Sequence, residues 1–314
     1  MGASIERGSF AGHETFPFRY TWLRKAAQFV EGEPTAFTRE DAMVELGVGK
    51  NMVRSIRHWA LVAGVLEEDP SVPNNRGAFL RRTDLARRLL SDRGWDPYLE
   101  DPATTWLLHW QIASVPENAT TWYWVFNHLP QPEFSKSDLL RWLKQLATDG
   151  GWSRVAPSSL RRDIDCFLRS YVPARISRGV SIEDTLDCPL IDLGLIQELG
   201  DRGTYILNRG DHPTLPDAIV AYALVDHIRK RLPGSAKTVP LEAVAFAPGS
   251  PGRAFCLTED ALLLRFERLR ETTDGALSFD ETAGMKQILV NDLPEPNDLL
   301  AAHYGARTAR SGRA

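Results

Sequence analysis

Cysteine is scarce in this chain: Cys166, Cys188 and Cys256 are the whole complement in 314 residues. They are odd in number and none falls in a Cys-x-x-Cys spacing, which argues against a disulfide framework or a zinc site and suits a reducing cytosol. No apolar run of membrane-spanning length and no N-terminal export signal is present, so the chain is expected to be cytoplasmic, with no membrane partner. Positive charge is not in excess either. With 37 Lys and Arg against 41 Asp and Glu, the net charge is -4, which argues against a general polyanion binder and makes any nucleic-acid surface a local one. Established nuclease signatures are missing too, although metal-dependent phosphodiester cleavage needs acidic ligands around one or two divalent ions.

What is present is an ordinary globular composition, 43% hydrophobic and 25% charged, with length enough for two or three modest domains. The most informative stretch is DAMVELGVGKNMVRSIRHWALVAGVL, from Asp41 to Leu66. It reads as a helix, a glycine-bounded turn and a second helix. Gly47 suits the left-handed position that ends the first helix, Val48 plugs the turn and Gly49 caps the second helix. Met52, Val53, Ile56, Trp59, Ala60 and Ala63 recur at helical spacing as a core stripe. Lys50, Asn51, Arg54, Arg57 and His58 fall on the opposite arc, which carries no acid. In a helix-turn-helix that reads DNA, the N-terminal residues of the second helix meet base edges, where Asn and Arg bond bidentately to adenine and guanine. The string GVGK is not a phosphate-binding loop, because Val44 and Asn51 stand where that motif needs Gly and Ser or Thr. A merely solvated basic face is the competing reading.

Ahead of this stretch, Trp22, Leu23, Ala26, Ala27 and Val30 mark a packing helix. Before it, His13, Glu14 and Arg19 are groups suited to chelating a metal, orienting a phosphate or capping the helix. After it, a Pro-Asn-Asn turn leads through a short strand into a helix capped by Thr83 or Asp84, the place for a wing. There Arg76, Arg81 and Arg82 are candidate phosphate contacts, whereas Arg87, Arg88 and Arg93 suit a solvated helix face. Residues 13–93 are therefore expected to be a winged-helix domain.

The segment from Gly94 to Leu129 holds five of the nine tryptophans, which makes it either a core hub or a stacking platform for unpaired bases. Asp96, Glu100, Asp101 and His109 lie in or beside it, and burial there would perturb their titration. A capped helix from Ser137 to Ala147, a Gly-Gly turn and a helix from Pro157 repeat the helix-turn-helix plan, with Ser159, Arg161 and Arg162 near the second helix's start. Asp163 and Asp165 diverge in direction on that helix and are not expected to share a metal. Residues 94–172 are read as this hub with its second helix-turn-helix. The acidic stretch with Glu183, Asp184, Asp187, Asp192, Glu198 and Asp201, followed by helices and two strands, makes 173–304 a winged-helix-like docking domain whose first long helix, Thr214 to Leu232, is amphipathic. Residues 305–314 are expected to be a disordered tail. The fold class is mainly α with small β wings.

The runs HETFPFRYTWLRK, ELGVGKNMVRSIRHW, DPYLEDPATTWLLHW and DHPTLPDAIVAYAL, between His13 and Tyr304, resemble those of a bacterial domain-of-unknown-function family found beside phosphoadenylyl-sulfate-reductase-like genes. Its member with an assigned role is SspB, the nicking component of Ssp-type DNA phosphorothioation systems. The resemblance implies a protein that binds double-stranded DNA and nicks one strand in support of backbone phosphorothioation and anti-phage defence. It implies as partners a cysteine desulfurase, an ATP pyrophosphatase and an ATPase. The expected cofactor is a divalent metal ion, magnesium or manganese. Candidate catalytic groups are His13, Glu14, Asp101 and His109, and candidate DNA contacts are Lys50, Asn51, Arg54, Arg57, His58, Arg76, Arg81, Arg82, Ser159, Arg161, Arg162 and Arg19. The alternative is a non-enzymatic DNA-binding adaptor that recruits the modification enzymes.

Overall fold

Gly47 adopts φ 66° in the computed structural model of the chain, and around that left-handed residue the first helices are arranged as the sequence predicts. The structure describes all residues except 1–4, 6–7, 74, 153–154, 174–187, 201–202, 233–235 and 312–314. Helix α1 (Tyr20–Phe29) buries Trp22, Leu23, Ala26 and Ala27. Helix α2 (Ala42–Leu46) ends at Gly47, and α3 (Lys50–Val62) buries Val53, Ile56, Trp59 and Ala60. A two-stranded antiparallel hairpin follows, β1 (Leu66–Glu68) pairing with β2 (Leu80–Arg82) in the register Leu66 opposite Arg82. Helix α4 (Asp84–Leu90) starts from Thr83, whose side chain accepts from the Ala86 N–H, satisfying one of the donors a helix start leaves open.

The tryptophan-rich region is core. Helix α5 (Pro102–Ala113) is buried along almost its whole length, including Trp106, Leu107, Trp110 and Ile112. Trp122 lies in α6 (Thr120–His128), 1% exposed. Rings so enclosed have no face left for an incoming base, so the stacking platform is ruled out for Trp106, Trp110 and Trp122.

Strand β3 (Glu133–Ser135) leads directly into α7 (Lys136–Asp149), where Ser135 and Asp138 form a reciprocal capping box. Helix α8 (Pro157–Tyr171) buries Leu160, Ile164, Phe167 and Leu168. Strands β4 (Ile196–Leu199) and β5 (Thr204–Leu207) pair antiparallel, and the sheet order is β3-β5-β4. Glu183, Asp184, Asp187 and Asp201 of the expected acidic stretch lie outside the described residues.

Helix α9 (Asp217–Arg231) departs from its expected amphipathic pattern: every residue from Ile219 to Ile228 is buried, Asp226 and His227 included. It is enclosed on all sides, as the unbroken apolar run from Ile219 to Val225 requires and a half-exposed amphipathic helix does not. After it come β6 (Thr238–Pro240), α10 (Leu241–Ala245), α11 (Pro251–Ala254), α12 (Glu259–Glu267) and α13 (Leu269–Thr272). Strands β7 (Leu277–Thr282) and β8 (Met285–Val290) join β6 in the order β6-β8-β7. Helix α14 (Pro296–Ser311) continues past Tyr304, so the helix does not break where the tail was expected to begin.

The contacts divide the chain into two compact units that do not follow the expected boundaries. One contains Ile5–Trp122 and Pro130–Asn208, merging the first expected domain with most of the second; the other contains Tyr123–Leu129 and the described part of Arg209–Ala314. No helix among the described residues is long and apolar enough to cross a membrane.

Candidate nucleic-acid interface

At the start of α3, Lys50, Asn51 and Arg54 are exposed. Lys50 and Asn51 have no side-chain partner among the described residues, as an interface side chain would be before its ligand arrives. Arg54 is different: its Nη1 lies 3.3 Å from Glu14 Oε1. The arc that is free of acid in sequence acquires one in space, because the loop before α1 passes beside α3. Glu14 itself is held at φ 48°.

The remaining two members of the arc are half-buried. Arg57 is half-buried and its Nη2 donates to the Gly77 carbonyl at 2.7 Å, pinning the hairpin turn to α3. Gly77 is required there, since a Cβ would lie 2.6 Å from that nitrogen, on a backbone at φ 73°. His58 is also half-buried, wedged between Gly12 and Trp59, with its ring 5.3 Å from the indole and 6.1 Å from His13. Burial first, and the neighbouring His13 second, push its imidazole down to about 4, so it carries no charge for a phosphate at neutral pH.

In the hairpin, Arg81 Nε bonds Glu67 at 2.8 Å and Arg82 Nη2 bonds Glu31 at 2.7 Å. Arg76 is exposed on a left-handed backbone at φ 56°, and Arg19 stands 5.7 Å over the Trp22 ring. On α8, Arg161 and Arg162 are exposed while Ser159 is half-buried. Arg162 joins Lys136, Arg169, Asp165, Glu198, Tyr205 and Thr15 around a cleft of about 480 Å³. Within it Lys136 Nζ pairs with Asp165 at 2.6 Å, and Arg169 donates to the Thr15 carbonyl.

The four candidate catalytic groups are each held in contacts of their own. Asp101 is the N-cap of α5, accepting from the Ala103 N–H at 2.9 Å. Asp96, beside it, accepts from the Glu100 and Asp101 N–H groups and from the Thr104 hydroxyl. His109 is fully buried, its Nδ1 2.8 Å from the Tyr171 hydroxyl. His13 is 1% exposed, and its Nε2 lies 2.8 Å from Asp163 Oδ1. Because His13 Nδ1 accepts the Thr15 N–H at 3.0 Å, the ring proton sits on Nε2 and is donated to the carboxylate. Asp163 Oδ1 also takes the Ala11 N–H at 2.6 Å, whereas Oδ2 is buried with no hydrogen-bond partner among the described residues.

The His13–Asp163 pair was not legible beforehand: the partners are 150 residues apart and no local signal links them. Among the described residues no group of three or more His, Cys, Asp or Glu side chains is arranged to hold a metal ion. His13 is committed to Asp163 and Glu14 to Arg54, so these residues do not make up the donor set a divalent ion needs.

These features describe a mainly helical protein with small antiparallel sheets and a basic helix start beside a hairpin. The chain belongs to the family described as protein of unknown function DUF4007, whose pattern matches residues 10–304. A magnesium-ion-bound SspB crystal structure is similar to it at 33% identity and TM-score 0.87, covering 97% of this chain and 91% of that one. Another SspB crystal structure matches at 33% identity and TM-score 0.86, covering 96% and 90%. No curated protein matches the chain.

Proposed function

We propose that this chain is the double-stranded-DNA-binding member of an Ssp-type phosphorothioation system, and that it nicks one strand so that partner enzymes can install sulfur. The observation that carries the binding is the start of α3, where exposed Lys50, Asn51 and Arg54 follow the Gly47 turn and adjoin the β1–β2 hairpin. That order of helix, turn, helix and hairpin supports a winged-helix reading, in which the second helix would enter the major groove. Arg76 and the hairpin arginines Arg81 and Arg82 are then placed for flanking phosphates, in exchange for their intramolecular partners. The likeness to SspB supports the assignment to phosphorothioation, with the cysteine desulfurase, ATP pyrophosphatase and ATPase as partners. The magnesium ion of the SspB structure supports a divalent cofactor for the nicking step.

A second reading, a DNA-binding adaptor without cleavage, is favoured by one observation: Asp101, His109 and His13 are all spent on buried structural contacts. A supercoiled-plasmid assay separates the two. Open circles that need magnesium or manganese, disappear with chelator and diminish in a Lys50→Ala, Arg54→Ala variant support the nickase. Plasmid binding without open circles at any protein concentration leaves the adaptor. No binding at low salt removes both.

A further inference from the structure

The cleft of about 480 Å³ beside α8 is not used by the reading of α3, and its walls come from one compact unit. Arg162, Asp165 and Arg169 recur three and four residues apart on α8, the spacing that lines side chains up along one face of a helix. The β3-β5-β4 sheet completes the lining: Glu198 of β4 stands opposite Tyr205 of β5, and Lys136 follows directly on β3. Thr15 belongs to the lining too, and its carbonyl accepts from Arg169. The residue before it, Glu14, reaches Arg54, so the cleft adjoins the start of α3.

The donors in this cleft exceed what the fold uses. Arg162 makes no ion pair or side-chain hydrogen bond among the described residues. Lys136 gives Asp165 a contact at 2.6 Å, which leaves donors to spare on an ammonium that carries three. Arg169 spends Nε on the Asp165 carbonyl at 3.3 Å and Nη2 on the Thr15 carbonyl, again fewer than the five N–H groups of a guanidinium. Against Lys136, Arg162 and Arg169 stand the carboxylates of Asp165 and Glu198, so the lining keeps a small excess of positive charge. That balance suits a monoanionic phosphodiester, whose oxygens a guanidinium fork matches, and disfavours a concentrated polyanion such as a triphosphate. The volume lies within the range of small-ligand pockets, about 300–1,000 Å³, which holds a segment of one strand and not a duplex. The lining offers no platform for a base, since Tyr205 is 8% exposed with its ring packed 5.8 Å from that of Phe134, so the backbone is the part it fits.

We propose that Arg162, Lys136 and Arg169 hold a backbone phosphate of a single DNA strand in this cleft, beside the duplex engaged by α3. The inference rests on the reading that this chain binds DNA, and its test lets the cleft and α3 fail separately. A labelled single-stranded oligonucleotide is titrated by anisotropy at several salt concentrations against the full chain, Arg162→Gln, Arg162→Lys and Lys144→Gln, with a duplex of the same sequence in parallel. Arg162 is exposed and supports no side-chain contact of the fold, so its variants stay folded. Lys144 is exposed on α7 outside the lining and reports the loss of a charge elsewhere. The expected result is single-strand binding whose slope of log affinity against log salt flattens by about 0.7 in Arg162→Gln. The slope of the natural chain is expected to persist in Arg162→Lys, which keeps the charge, and in Lys144→Gln. The proposal is overturned if the chain binds no single strand, if Arg162→Gln leaves the slope unchanged, or if Arg162→Lys or Lys144→Gln flattens it equally. Duplex binding that a Lys50→Ala, Arg54→Ala variant abolishes, beside any of those results, removes the cleft and leaves α3 standing. Single-strand binding with the expected slopes but no duplex binding removes the reading of α3 and leaves the cleft.

Discussion

His13 Nε2 lies 2.8 Å from Asp163 Oδ1, both side chains almost wholly enclosed, across 150 residues of sequence. The pair fastens the segment before α1 to α8, inside one compact unit. Removing one partner leaves a charge or a donor stranded, which for a buried pair costs about 3–5 kcal/mol. Asp163→Ala and His13→Ala are each expected to lower the urea midpoint sharply. The double variant is expected to cost less than the sum of the two. Additive losses in that cycle would show that the contact contributes nothing of its own.

The neighbouring loop residue, Glu14, reaches Arg54 from the same segment. A partly exposed pair of this kind is worth at most about 1 kcal/mol, so Glu14→Gln is expected to fold normally. It releases Arg54 for phosphate, and duplex affinity at low salt is expected to rise, where a catalytic Glu14 would instead show unchanged affinity and lost nicking. Anisotropy titration alongside the plasmid assay distinguishes them.

Acid is expected to weaken both units. Burial holds His58 and His227 down to about 4, from an ordinary 6.5. The unfolded chain therefore takes up protons below about 6.5 that the folded chain refuses until about 4, and stability falls as pH drops through that window. Urea melts at pH 7 and pH 5 are expected to show a lower midpoint at pH 5. His58→Gln is expected to reduce the difference, and an unchanged pH dependence in that variant would mean His58 is protonated in the fold.

Asp101 is expected to act on stability alone. Asp101→Ala removes the α5 cap at a cost of about 1 kcal/mol, whereas Asp101→Asn keeps an accepting oxygen for the Ala103 N–H. Both variants are expected to bind DNA and nick plasmid like the natural chain once folded. Loss of nicking in a fully folded Asp101→Asn would restore a chemical role to this carboxylate.

Much of the fold was legible because its signals are local. The spacing of Val53, Ile56, Trp59 and Ala60 marked the buried face of α3, Gly47 marked its turn, and Thr83 marked a helix start that its side chain does cap. Periodicity failed at α9, where enclosure on all sides replaced the expected half-exposed pattern. The candidate site was less legible. Lys50 and Asn51 stand exposed as their helical positions required, and Asp101 caps α5 through a local contact, but Arg57, His58, His109 and His13 are held in contacts that their own neighbours in sequence do not reveal.

What the sequence determined by itself is therefore the set of helices, caps and turns, since caps, turn glycines and apolar stripes act over a few residues of chain. The tertiary structure alone decided which charges stay available. Pairing of Glu14 with Arg54, of His13 with Asp163 and of Arg57 with the Gly77 carbonyl depends on distance in space, and electrostatic energy follows that distance and the burial around it rather than separation along the chain.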